Sequence, residues 1–233
     1  MYFFWLLTAT IIWTIFFGIA VIVVSFFDFK NGKLLGFIVR CWAKTIFISC
    51  QIKTKITGLE NLDISKNYIF AANHASSLDI PLMLGYLPFW TVPIAKTELK
   101  WIPFLGWAMQ MAGHVFIDRD NHKNAMLSIE NLKSSLTKNP RSILVFPEGS
   151  RTDDGNINQF KSGGLSIGIS TSIPVVPIAI KGTYKSLKKG SMKFTRKLLE
   201  IRIGDPVLTD SFNDEDRKKF SQIVCKKVKA LKK

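Results

Sequence analysis

Apolar and polar positions follow three different rhythms along this chain. From Met1 to Phe27 the apolar run is unbroken by any charged side chain. Twenty-seven helical residues at ~1.5 Å each reach roughly 40 Å, enough to cross a hydrocarbon layer of ~30 Å. A cleaved signal peptide would show a basic start and a short apolar core. This segment has neither, so a retained anchor is expected. Lys30, Lys33, Arg40 and Lys44 follow the run and no basic residue precedes it. The positive-inside tendency therefore puts the bulk of the chain on the cytoplasmic face, at the inner membrane if the protein is bacterial. A bend at Gly18, returning the segment to one leaflet, is the competing arrangement.

From Lys33 to Cys50 the rhythm becomes helical. Leu35, Ile38, Trp42, Ile46 and Ser49 share one face, and Lys33, Arg40 and Lys44 share the other. The pattern suits a helix lying in a membrane interface, and equally an amphipathic helix packed on a domain. Beyond it, short runs rich in β-branched and aromatic residues are bounded by Gly, Pro, Asn or Asp. They predict strands at Cys50–Thr57, Tyr68–Ala72, Thr91–Ala95, Val115–Ile117, Ile143–Phe146, Val175–Ile180 and Leu199–Ile203. Helices fall between them, the clearest after Asp120 and Asn121 with Ala125, Ile129, Leu132 and Leu136 on one face. Alternation of this kind predicts an α/β fold with a mostly parallel core sheet and flanking helices. A last helix over 213–233 carries Phe220, Ile223, Val224, Val228 and Leu231 at helical spacing. Asp214, Glu215 and Asp216 stand at its start and lysines at its end, as the helix dipole prefers. The expected organisation is an N-terminal membrane anchor over 1–50, an apolar helix 1–27 plus an amphipathic helix 33–50, followed by an α/β domain over 51–233.

Composition sharpens this picture. The 233 residues are 47% hydrophobic and 12% aromatic, yet the formal net charge is +15. A disordered basic tail would lack the aromatics, and no bias matches collagen, a disulfide miniprotein or a long coiled coil. Three cysteines, Cys41, Cys50 and Cys225, give an odd count that fits a reducing compartment. The charge is uneven: Lys181 to Lys233 holds a net of +10. Its basic face suits anionic lipid or plain solvation. Nucleic acid is not expected, because neither C₂H₂ spacing nor an RNP-type run is present.

Candidate chemistry sits in the loops that follow strands, where open α/β sheets form their sites. Asn73-His74-Ala75-Ser76-Ser77-Leu78-Asp79 follows the second predicted strand. On one regular helix His74 and Asp79 would lie ~140° apart. They meet if His74 is in the loop and Asp79 in the first turn of the next helix, with Ser76 or Ser77 capping. A carboxylate on one imidazole nitrogen leaves the other free as a general base; a capping Asp beside a polar loop His is the plainer reading. Neither Ser76 nor Ser77 beside His74 sits in a G-x-S-x-G, so neither is indicated as a nucleophile. His74, His114 and His122 have no ligand spacing with the cysteines, so no metal is expected. Phe146-Pro147-Glu148-Gly149-Ser150-Arg151 follows the fifth strand. It offers a carboxylate, a permissive glycine, a hydroxyl and a guanidinium suited to phosphate, or simply a polar turn. Arg119 ends the run Phe116-Ile117-Asp118-Arg119, where it suits phosphate or a surface ion pair.

Taken together and in order, these blocks resemble the glycerolipid acyltransferase family, most closely the bacterial 1-acylglycerol-3-phosphate acyltransferases. His74-x4-Asp79 matches its first block, Phe116 to Arg119 its second, Phe146 to Arg151 its third and Ile173-Pro174-Val175-Val176-Pro177 its fourth. The stretch from Lys96 through Glu98 and Leu99 to Gly106 resembles its lysine segment. A common third block has Thr where this chain has Ser150; the hydroxyl is kept. The likeness covers roughly residues 50 to 185. It implies a glycerol-phosphate acyltransferase-like fold and acyl transfer from acyl-CoA or acyl-carrier protein to the sn-2 hydroxyl of lysophosphatidic acid, giving phosphatidic acid. It implies no cofactor. His74 is then the base and Asp79 its orienter. Arg119 and Arg151, with Lys96, bind the acceptor phosphate, and Glu148, Gly149 and Ser150 belong to the acceptor pocket. Enzymes that acylate glycerol-3-phosphate or another lysolipid share the blocks. A non-enzymatic membrane protein binding anionic lipid is the alternative of a different class; it gives no reason for His74, Asp79 and Glu148 to sit on separate loops.

Overall fold

The computed structural model of the chain describes residues 2–27, 33–117 and 122–233. Seven strands lie where the β-rich runs predict them: β1 Thr54–Thr57, β2 Ile69–Ala72, β3 Thr91–Lys96, β4 Val115–Ile117, β5 Ser142–Val145, β6 Val175–Lys181 and β7 Leu199–Ile203. They form one sheet in the order β1-β7-β6-β2-β5-β3-β4. Every pairing is parallel except β6 with β7, where Ile178 opposes Ile203. The connection over residues 182–198 returns β7 directly beside β6, antiparallel to it, rather than crossing over the sheet.

The sequence of each strand matches its place. In the central β2 and β5 every residue is buried, as a strand covered on both faces requires. The outer β1 and β7 alternate instead. Side chains of β2 part to opposite faces. Phe70 and Ala72 join a core with Ile46, Phe47, Leu82 and Leu199, while Ile69 and Ala71 join one with Leu165, Phe220, Val224 and Val228. The first core is closed by the helices α2 Lys33–Ser49 and α3 Asp79–Tyr86; the second by α5 His122–Lys138, α6 Ser162–Thr171 and α8 Arg217–Lys232. A short α7 spans Thr183–Ser186. Burying a Phe such as Phe70 or Phe220, both 0% exposed, contributes about 1.5–3 kcal/mol each.

The N-terminal segment is a single 24-residue helix, α1 Tyr2–Ser25, long and apolar enough to cross a membrane. Gly18 does not bend it. That glycine faces Phe104 and Ala108 of the region around α4 Leu105–Met111, at ordinary packing distance. Indole and hydroxyl groups stitch α1 to α2: Trp5 Nε1 donates to the Ser49 carbonyl at 2.8 Å, Trp13 Nε1 to Ser49 Oγ at 3.1 Å, and Trp42 Nε1 to Thr14 Oγ1 at 3.1 Å.

Two expectations change here. The predicted first strand begins only at Thr54, because α2 runs on to Ser49 and the chain then turns through Gln51 at φ 53. Of the basic face of α2, Arg40 turns inward while Lys44 stays exposed. Arg40 Nη1 donates to the carbonyls of Leu87 and Phe89 at 3.1 and 3.3 Å, and Lys44 lies over the Tyr86 ring. Free carbonyls at the end of α3 draw the guanidinium. The apolar surface left open on α2 is instead Leu34, Phe37 and Ile48.

Candidate active site

The sheet order brings the polar loops together. β2, β5 and β3 are neighbours; the loops carrying His74 and Glu148–Arg151 leave the carboxyl ends of β2 and β5, and Lys96 ends β3. Arg119 itself lies outside the described residues.

Asp79 opens α3, and His74 sits in the loop before it. Asp79 Oδ2 lies 2.8 Å from His74 Nδ1 and also accepts from the backbone N–H groups of Ala75 and Ser76, at 2.7 and 2.8 Å. The loop is wrapped around this carboxylate, which is 0% exposed. Capping by Ser76 or Ser77 is not what forms the turn. Ser76 Oγ donates to the Leu187 carbonyl at 2.7 Å and accepts from Leu78 N at 3.3 Å ahead of the helix, and no side chain caps α3 itself. With Asp79 as acceptor, Nδ1 carries the proton of neutral His74 and Nε2 presents a lone pair. Phe146 stacks on the imidazole, ring centroids 4.1 Å apart and planes 19° off parallel. Behind it, Asn73 clamps β2 to β6: its Oδ1 accepts from Ile180 N at 2.7 Å and its Nδ2 donates to Ile180 O at 3.1 Å.

Glu148 points inward rather than into a pocket. Oε1 accepts from His74 N at 2.8 Å, Oε2 from Asn158 N at 2.9 Å, and the residue is 6% exposed. Burial pushes its carboxyl above the usual range, and the two N–H groups only partly offset this. Thr152 N donates to His74 O at 2.9 Å. Both backbone polar groups of His74 are thus held by the loop after β5. Gly149 turns that loop at φ 81, and Ser150 beside it is exposed.

His74, Lys96 and Arg151 line one cavity of about 720 Å³ whose other walls include Leu6 and Phe17 of α1, Trp42 and Ile46 of α2, and Leu84 of α3. The volume is that of a site for a sizeable small molecule. Lys96 pairs with Glu98 on its wall. His114, with no role expected from the sequence, also lines it. Desolvation holds its imidazole down at about 4, so it is neutral near pH 7, and its buried Nδ1 has no hydrogen-bond partner among the described residues. Sequence reasoning missed Phe146 and Asn73 as supports of His74; their only signal was adjacency to the two polar blocks. Among the described residues no group of three or more His, Cys, Asp or Glu is placed to hold a metal ion.

A family model described as "Acyltransferase" matches residues 53–181. A 1-acyl-sn-glycerol-3-phosphate acyltransferase of Cocos nucifera is 33% identical over 156 residues, covering 67% of this chain and 51% of that protein. One from Saccharomyces cerevisiae is 32% identical over 187 residues, covering 79% of this chain and 61% of that protein. The chain thus spans between about half and just under two thirds of these relatives' length. The crystal structure of the 1-acyl-sn-glycerophosphate (LPA) acyltransferase PlsC from Thermotoga maritima superposes with a TM-score of 0.80 at 30% identity, covering 99% of this chain and 95% of that one.

Proposed function

The chain belongs to the acyltransferase family, and from that premise we propose that it transfers a fatty acyl group from an acyl thioester to the sn-2 hydroxyl of 1-acyl-sn-glycerol-3-phosphate, giving phosphatidic acid. The acceptor is taken from the relatives, which are named for it. One observation carries the chemistry: the Asp79-held imidazole of His74 and the guanidinium of Arg151 open onto the same largely apolar cavity.

An alcohol is a poor nucleophile until a base takes its proton. The acceptor hydroxyl gives that proton to His74 Nε2 as its oxygen attacks the thioester carbonyl. The tetrahedral intermediate collapses, an oxygen ester forms, the carbon–sulfur bond breaks, and the leaving thiolate takes the proton back from His74. Asp79 fixes the tautomer and stabilises the transient imidazolium. Stacked Phe146 and the backbone contacts from Glu148 and Thr152 fix the ring's place. Arg151 pairs with the acceptor phosphate, helped by Lys96 and Arg119. Cavity walls shared by α1, α2 and α3 take acyl chain. The same α1 leaves Phe4, Ile12 and Phe16 more than half exposed, which supports seating at a membrane where such lipids reside. Donors are acyl-CoA or acyl-carrier protein, and the active face is cytoplasmic.

Purified protein in detergent, supplied with acyl-CoA or acyl-carrier protein and a panel of acceptors, tests this. Phosphatidic acid from lysophosphatidic acid is the expected product. Preferred acylation of glycerol-3-phosphate contradicts the acceptor, and vesicle binding with no turnover contradicts the enzyme.

A further inference from the structure

Seven lysines decorate α8 and its end, and six of them, Lys218, Lys219, Lys226, Lys227, Lys229 and Lys233, are exposed to solvent. Lys232 differs. It is partly buried, and its Nζ donates to the Gly155 carbonyl at 2.6 Å. The last turn of α8 is fixed there by Arg202 Nη1 donating to Leu231 O at 3.3 Å and Lys181 Nζ donating to Lys233 O at 3.4 Å. Phe220, Val224 and Val228, each 0% exposed, seat the rest of the helix on the sheet.

Gly155 belongs to the loop that runs from Arg151 to Asn158. That loop ends on Asn158 N, which holds Glu148 Oε2, while Glu148 Oε1 holds His74 N. The end of α8 is therefore linked, through the Gly155–Asn158 stretch of this loop and the Glu148 carboxylate, to the backbone N–H of His74. Charge follows the same path. Glu148 and Asp79 are both buried carboxylates, 6% and 0% exposed, and Asp79 Oδ1 has no hydrogen-bond partner among the described residues. Desolvated carboxylates need a nearby cation to stay ionised. Burial pushes the Lys232 ammonium below its usual range, and the carboxylates of Glu148, Asp79 and Asp154, in that order, oppose this and favour its charge, while Lys181 disfavours it. Arg151 and Lys96 lie across the site on the cavity wall, and Lys161 Nζ lies near Gly149.

We propose that Lys232 is a positioning residue for acyl transfer: anchored on the Gly155 carbonyl, its ammonium balances the buried Glu148 and Asp79 carboxylates and keeps His74 unprotonated and in register. The inference rests on the acyl-transfer reading for its kinetic arm and is independent of it for its spectroscopic arm. Without this cation the two carboxylates favour protonated His74, so on acidification the base is lost at a higher pH.

Only three histidines occur, His74, His114 and His122, so their ring signals are separable by NMR, with His74→Ala giving the assignment. In Lys232→Met, the His74 titration is expected to move up by about one pH unit, the effect of removing one neighbouring opposing charge. The acidic limb of the kcat/KM profile moves with it, lowering the rate on that limb about tenfold. Lys232→Arg restores both. Lys232→Gln keeps a donor for Gly155 and loses the charge, so it behaves like Lys232→Met; it carries the test if the methionine variant does not fold. Unchanged His74 titration and pH profile in folded Lys232→Met or Lys232→Gln overturn the proposal. A wild type without acyl transfer overturns the proposed function and leaves the titration result to be read alone.

Discussion

Glu148 shows how far a residue's environment can outrun its letter. Its sequence context offers a carboxylate at a pocket edge; its place in the fold makes it an internal brace with each oxygen taken by a backbone N–H, of His74 and of Asn158. Glu148→Gln presents an amide N–H₂ to one of those donors. An unsatisfied buried donor costs about 1–3 kcal/mol, and a chain of this size loses roughly 2–4 °C in Tm per kcal/mol. The expected outcome is a lower melting temperature together with reduced kcat, read by calorimetry and steady-state assay. Arg151, by contrast, faces the cavity. Arg151→Ala is expected to raise the acceptor KM by about 10- to 100-fold, the value of one or two charge-assisted hydrogen bonds, with the donor KM nearly unchanged. A loss that follows the thioester donor contradicts the phosphate role. The pairing of His74 with Asp79 was legible because a spacing of five fails on one helix and works across a loop–helix junction. Asp79 as the centre of that loop was not: Ser76 looks like the better cap, yet its hydroxyl donates to the carbonyl of Leu187, more than a hundred residues on, and accepts from Leu78 N ahead of the helix.

Elements were readable wherever local preference and burial agree. β2 and β5 are unbroken apolar runs and the seventh strand alternates, so their type and place follow from side-chain chemistry. α4 carried no such signal. Its seven residues start after Phe104 at φ 59, a conformation held by packing against α1. Gly106 is the local requirement. A Cβ there would lie 2.3 Å from the Lys100 carbonyl oxygen, so Gly106→Ala must displace the 97–105 segment that bears Glu98 and borders Lys96. Reduced acceptor affinity and a lowered Tm are the expected signs. Where α4 gives way to β4, His114 has its own consequence. Its folded-state value of about 4 lies below the usual 6.5. The unfolded chain therefore binds a proton first on acidification. Stability from this group is whole above pH 6.5 and is lost as pH falls toward 4, by on the order of 3 kcal/mol across the window. Urea melts at pH 7 and pH 4.5 should show His114→Phe losing less stability over that interval than the wild type. An equal loss contradicts a desolvated neutral His114.

At the scale of the molecule, the apolar surface of α1 and the lysines of α8 belong to different parts of the fold, and Arg196 reaches back over the Tyr2 ring of α1. α1 exposes aromatic and aliphatic side chains, Trp101 at 78% exposed and Trp107 at 51% extend the apolar surface around α4, and the lysines of α8 lie elsewhere. Deleting Tyr2–Ser25 removes cavity wall as well as surface. The truncated protein is expected to lose both flotation with anionic vesicles and acyl transfer to vesicle-borne acceptor; full activity there contradicts the shared cavity. The tertiary role of α1 was beyond sequence reading, because a uniformly apolar helix has no preferred face and the choice between crossing a membrane and walling a cavity is made by its partners α2 and α4. The most direct measurement of the whole account is a paired assay of wild type and His74→Ala. It follows free thiol released from acyl-CoA and phosphatidic acid formed from lysophosphatidic acid, with Tm recorded alongside. Equal amounts of the two products are expected from wild type, and a fall of about 10²- to 10⁴-fold in His74→Ala at unchanged Tm. Near-normal turnover by His74→Ala would contradict this.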